Sequence, residues 1–133
     1  MVASKTYSDP SFGAESLFIC PIEIDTGDGT PANILSYTST KAIRIIEAGI
    51  MITEAVVGTS VDAVVVIKEG ATELFSVSIP DTTAVGVTVK DIVGESVAIA
   101  AGDTLIFNHK TKATGGTPAG KGYMYIKYAE QFA

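Results

Sequence analysis

Tryptophan is absent from these 133 residues, and cysteine and histidine occur once each, as Cys20 and His109. A lone cysteine excludes an intramolecular disulfide, and its apolar neighbours Leu17, Phe18 and Ile19 mark it as a small buried hydrophobe. With one imidazole, a serine or cysteine nucleophile has only His109 to serve as its base. Positive charge is also scarce. Nine Lys and Arg against fifteen Asp and Glu give a net charge of −6, the wrong sign for wrapping DNA, RNA or an anionic membrane surface. No apolar run approaches membrane-spanning length, and residues 1–16 are polar and broken by Pro10 and Gly13, unlike a signal peptide. The expectation is a chain with no cofactor, no metal, no nucleic-acid partner and no membrane partner.

What is abundant points to strands. Apolar residues make up 47% of the chain and charged residues only 18%, a balance that folds rather than stays disordered. Thirteen glycines accompany many Val, Ile and Thr, while Leu is scarce. That mixture suits short strands joined by tight turns. The predicted fold class is all-β, an antiparallel β-sandwich of jelly-roll type, with residues 1–16 as an irregular N-terminal arm and residues 17–133 as one domain. Predicted strands cover 17–24, 42–48, 50–57, 63–68, 73–79, 85–89, 97–99, 104–110 and 122–128. Pro21 calls for an edge position or a bulge, because proline cannot donate to a central ladder. Gly49 is read as a divider between two strands, and helix is the rival for residues 40–48, where Lys41, Arg44 and Glu47 fall at helical spacing. The clearest alternation sets Leu105 and Phe107 against Ile106 and Asn108, and Met124, Ile126 and Tyr128 against Tyr123, Tyr125 and Lys127. Between these strands, residues 108–122 have little to bury and read as a mobile hairpin tip or a loop ordered by a partner.

Asp25-Thr26-Gly27 after apolar residues is similar to the segment with which retropepsin-like aspartic proteases place one carboxylate of a catalytic pair, and Ile92-Val93-Gly94 is a fainter second match. Asp28 opposes that reading, since its negative charge crowds a dyad that must share one proton, and Glu23 interrupts the apolar lead-in. The same loop lacks the alternating oxygen ligands of an EF-hand, and its twelfth position is Ser36. A cupin would need several histidines, and His109, at the foot of a lysine-bearing loop, is expected to be exposed. Tyr123, Tyr125 and Tyr128 are expected to pack a sheet or a subunit interface, with sugar stacking as the alternative. Lys110, Lys112 and Lys121 gather around the C-terminal loop and are candidates for docking onto an acidic partner. Tyr7 and Phe12 are candidate anchors on the arm.

Residues 97–107 (VAIAAGDTLIF), then a Gly-rich loop and the aromatic strand Tyr123-Met124-Tyr125-Ile126-Lys127-Tyr128, resemble the closing hairpin of small viral jelly rolls. With the irregular arm and the acidic, Ala-, Gly-, Thr- and Val-rich composition, the chain resembles tailed-phage capsid decoration, or cement, proteins. The resemblance implies a homotrimer seated on the major capsid protein or another virion protein, in a virion assembled in the host cytoplasm. It implies no enzymatic activity. A tail, fibre or appendage component and a glycan-binding sandwich module are the alternatives.

Overall fold

The structure is a computed structural model, which describes residues 12–24, 32–57, 62–80, 82–91, 97–111 and 119–131. Among the described residues nine strands follow one another: β1 (Phe12–Glu23), β2 (Ala32–Thr38), β3 (Ile43–Val57), β4 (Ala63–Glu69), β5 (Thr72–Ile79), β6 (Thr88–Asp91), β7 (Val97–Ile99), β8 (Thr104–Thr111) and β9 (Ala119–Gln131). They form two antiparallel sheets. The first has the order β1-β9-β3-β6, with β7 also pairing β3, and the second has the order β2-β8-β4-β5.

That order follows from one long hairpin rolled up. From the β4–β5 turn outward, the pairs are β4 with β5, β3 with β6 and β7, β2 with β8, and β1 with β9. Successive pairs fall in alternate sheets, the second, the first, the second and the first. This is the β-sandwich that the strand-rich sequence led us to expect, in the jelly-roll form that the resemblance implied. β6 and β7 together fill one strand position, β6 on Ala48–Met51 of β3 and β7 on Ile43–Ile45.

The interior is a layer of branched aliphatic side chains. Ile22, Ile24, Ile43, Ile45, Ile50, Ile52, Met124 and Ile126 enter from the first sheet, and Val65, Ile67, Phe75, Val77, Ile79, Leu105 and Phe107 from the second. Each such side chain taken out of water contributes about 1.5–3 kcal/mol before ordering costs, so the alternation that selects one face of every strand also holds the sheets together. Phe18 of β1 bridges to the other sheet, its ring centroid 4.6 Å from Tyr37 and 5.5 Å from Phe107.

Several expectations need correction. β1 begins at Phe12, so residues 12–16 belong to a strand and not to an arm; Phe12 pairs with Gln131 and Ser16 with Tyr128. β2 was missed, because an edge strand that is largely exposed has no apolar period to reveal it. Residues 43–57 form one strand, neither a helix nor two strands. β3 keeps its inward row through register shifts, one lying between Ile45 and Glu47, where the extra residue Ile46 is exposed. The strand expected at 85–89 is displaced to 88–91, with Val85 and Gly86 in a turn. β8 and β9 are not a hairpin, since they lie in different sheets. β7 and β8 also lie in different sheets, and the turn between them carries Gly102 at φ +89°. That turn is clamped to the β2–β3 crossing, with Gly102 N–H donating to the Ser39 carbonyl at 2.7 Å. Pro21 does sit on an edge strand, as its missing N–H requires.

Candidate functional site

The side chains of the first sheet that point away from the interior form a lattice fixed by strand register. Leu17, Ile19, Pro21 and Glu23 of β1 alternate with the buried Cys20 and Ile22, so they face outward. Pairing then lays out the rows. One row holds Glu23, Lys121 and Glu54; the next, Pro21, Tyr123, Met51 and Thr88; the next, Ile19, Tyr125, Gly49 and Lys90; the last, Leu17, Lys127 and Glu47. The two middle rows are mostly apolar. Leu17 is 51% exposed, Ile19 44% and Tyr123 41%, and Pro21 is exposed beside them. Glu23, Thr53, Lys121, Pro21 and Tyr123 line a shallow open depression of about 220 Å³ at one end.

Charge brackets this apolar strip. At one end Lys121 stands 3.8 Å from Glu54, with Glu23 on its other side. At the other, Lys90 stands 3.7 Å from Glu47, and Lys127 is the register partner of Glu47. The first row carries two glutamates to one lysine; the last pairs one lysine with one glutamate, toward which Lys90 reaches from the neighbouring row. Between them Tyr125 is held down: its ring lies over Gly49 and its hydroxyl donates to Glu47 Oε2 at 2.5 Å. The tyrosine hydroxyl, with Lys90 and Lys127 behind it, holds the Glu47 carboxyl below the usual carboxylate range. Burial, then the hydrogen bond to Glu47 and its charge, push the Tyr125 phenol up. The result is a flat face whose centre cannot be hydrated well and whose ends are polar.

The residues singled out from sequence are scattered. Tyr7, Lys112 and the whole segment 25–29 lie outside the described residues, as does Ile92-Val93-Gly94. Phe12 opens β1. Lys110 and Lys121 do not form one basic patch: Lys110 is on the second sheet, 2.8 Å from Glu73, and Lys121 is on the first, paired with Glu54. His109 is 2% exposed, contrary to expectation, because β8 runs on to Thr111 and its inward row continues from Leu105 and Phe107 to position 109. The three tyrosines separate. Tyr123 is on the open face, Tyr125 is sealed onto it at 5% exposure, and Tyr128 turns inward to the side of Tyr37. Burial raises the Cys20 thiol above its ordinary value, which suits its place in the core.

The sequence-based reading missed Leu17, Ile19 and Met51 as face residues. Their signal was present, since residues 17–20 are apolar at every position and an edge strand with one wet face has no packing use for the second apolar row.

No protein-family model matches the sequence, and no curated protein does. A solved chain from a study of Bacillus endospore appendages, described there as a novel family of disulfide-linked pili, is similar to this chain. Its TM-score is 0.42 and its identity 14%, over 90% of this chain and 88% of that one. Likeness at that level assigns neither a family nor a function.

Proposed function

We propose that this chain is a structural subunit that works by surface contact within a large protein assembly, and that it decorates a capsid lattice through the outer face of the first sheet. The observation that carries this reading is the apolar strip of Leu17, Ile19, Pro21 and Tyr123, exposed on a rigid sheet and bracketed by charged rows. Contiguous exposed apolar area of this kind on a folded domain marks an interaction site. A flat sheet face is suited to another protein surface, whereas a small substrate needs a concave pocket that buries most of it. In this reading the chain performs no chemistry, needs no cofactor and resides in a virion. A tail, fibre or appendage subunit would use the same face in the same way.

The test is physical recovery. The tagged full chain, expressed in its native background, is expected to sediment through a density gradient with a particle far larger than any small oligomer, and electron microscopy of that fraction identifies shell or filament. Ile19→Glu, which places a charge in the strip, is expected to leave the chain folded and move it to the top of the gradient. A wild-type chain found only at the top overturns the proposal.

A further inference from the structure

We infer that the carboxyl pair of Glu69 and Asp103 is an acid-closed latch, which holds the tip of the β4–β5 hairpin onto the turn before β8 and releases it as the pair loses its shared proton.

Register brings the two groups together. Glu69, the last residue of β4, pairs with Leu105 of β8, whose side chain is fully buried in the core. Asp103 precedes Leu105 by one strand period, so both carboxyls project on the inward side of the second sheet, at its rim. There the Asp103 carboxyl is hydrogen-bonded to that of Glu69. An ionised carboxylate only accepts hydrogen bonds, so this contact exists only while one of the two carries a proton. Glu69 Oε2 is closed off from water and has no hydrogen-bond partner. Ionisation of both groups therefore leaves a buried charge unsatisfied beside a second one, a cost that an open hairpin tip avoids. The charged groups of the neighbouring elements are turned away or engaged. Lys68 and Glu73 point to the outer side of the sheet, where Glu73 holds Lys110 of β8 at 2.8 Å. On the β2–β3 crossing, Lys41 stands 3.3 Å from Glu130 of β9. Tyr37 of β2, beyond Leu105 in the same row, acts on Tyr128 of β9, and His109 sits at the other end of the inward row of β8. The hydrogen bond to Asp103, burial and the Asp103 charge together push the Glu69 carboxyl up. The contribution of the latch is thus present below the ordinary value of 4.5 and lost as pH rises through the raised one.

The backbone decides which side gives way. The Asp103 turn is fixed, because the Ser39 N–H donates to the Asp103 carbonyl at 3.2 Å and Gly102 N–H donates to the Ser39 carbonyl. The hairpin tip is freer. Its Gly70-Ala71 turn is exposed, β5 is an edge strand, and the β4–β5 register shifts between Ile67 and Lys68. That irregularity acts as a hinge, beyond which Lys68 pairs with Glu73 and Glu69 with Thr72. Further along β5, Ser76 N–H donates to Asp91 Oδ2 of β6 at 2.7 Å, which ties the rest of the strand down and confines the release to the tip.

Hydrogen exchange of the purified full chain, read as protection factors at several pH values, tests this. In the wild type the protection of the Glu69 and Thr72 amides is expected to fall roughly tenfold or more between pH ~4 and pH ~7, while that of Val77 in the middle of β5 stays level. Glu69→Gln keeps the contact at every pH, because its amide donates to the Asp103 carboxylate, and is expected to hold the acid-side protection throughout. Asp103→Asn, whose amide donates to the Glu69 carboxylate, is expected to do the same. Carbon-detected NMR of the wild type gives a readout that needs no variant: the side-chain carboxyl signals of Glu69 and Asp103 are expected to titrate as a coupled pair, each sensing both steps. Protection independent of pH in the wild type, a slope that persists in Glu69→Gln, or two carboxyls that titrate independently overturns the inference. A persisting slope would assign the pH response to another group, His109 first.

Discussion

At the scale of single residues, the most consequential arrangement is the contact of Tyr125, Gly49 and Glu47. An outward tyrosine in mid-sheet would ordinarily stand in water, but opposite a glycine it can lie flat and reach the next carboxylate. Glu47 is held below its ordinary value of 4.5, so its contribution to stability is present above that value and lost as pH falls through the lowered one. Tyr125 is raised above its ordinary 10.0, so its contribution is present below that value and lost as pH rises through the raised one. Tyr125→Phe is therefore expected to cost about 1.5–3 kcal/mol at pH 7, the worth of a hydrogen bond to a charged group. Urea denaturation at several pH values checks it: the gap from wild type should narrow below pH ~4 and above pH ~10, and a gap independent of pH would detach the loss from this hydrogen bond. A different pair works the other way. Asp103's carboxyl, hydrogen-bonded to Glu69, raises the Glu69 carboxyl, a repulsion that grows as pH climbs and that the β4–β5 hairpin tolerates at its exposed end.

At the scale of elements, β3 is where the sequence was most easily misread. Gly49 looks like a break, and in an isolated segment it would weaken a strand. Here it is a point of close approach: a Cβ would stand 2.6 Å from the Val89 carbonyl oxygen of β6 and 2.9 Å from the Tyr125 hydroxyl. Gly49→Ala is expected to cost about 1–3 kcal/mol in chemical denaturation, the usual penalty for forcing backbone and packed side chains apart. Full stability in that variant would mean that β6 moves away freely. The core row of β5 was legible because it has one dry and one wet face, which writes a period of two into the sequence, whereas β4, buried at Val65, Val66 and Ile67 alike, was legible as a short apolar run. β2 was not, since an edge strand exposed on most of its length carries no such period. Nor was the inward turn of His109, because nothing local distinguishes the end of β8 from the start of the loop. The candidate face was legible only in part: residues 17–20 are apolar at every position, which signals a second apolar row, but only the register assigns Leu17, Ile19 and Pro21 to the outer side.

For the whole molecule, the two sheets are coupled through a few large side chains. Phe107 of the second sheet is fully buried and meets Phe18 of the first, beside Tyr37. Phe107→Ala should cost about 3–5 kcal/mol, a large part of the 5–15 kcal/mol typical of a domain, and is expected to lower the melting temperature well beyond any face substitution. Calorimetry of Phe107→Ala beside Ile19→Glu separates the two: the first unfolds early, the second melts with wild type. The rolled hairpin also makes β9 indispensable, since it lies between β1 and β3 and, among the described residues, joins β1 to the rest of its sheet.

The pairing of Phe12 with Gln131 brings the two ends of the described chain side by side on one rim of the sandwich. A tension applied between those ends would fall on the outermost hydrogen bonds of β1 and β9 first and open them singly, like a zipper. A load carried through the broad face would instead be shared by many contacts at once. A subunit of this shape withstands pressure from beneath far better than a pull between its own ends, which is the mechanical order suited to a plate lying on a surface.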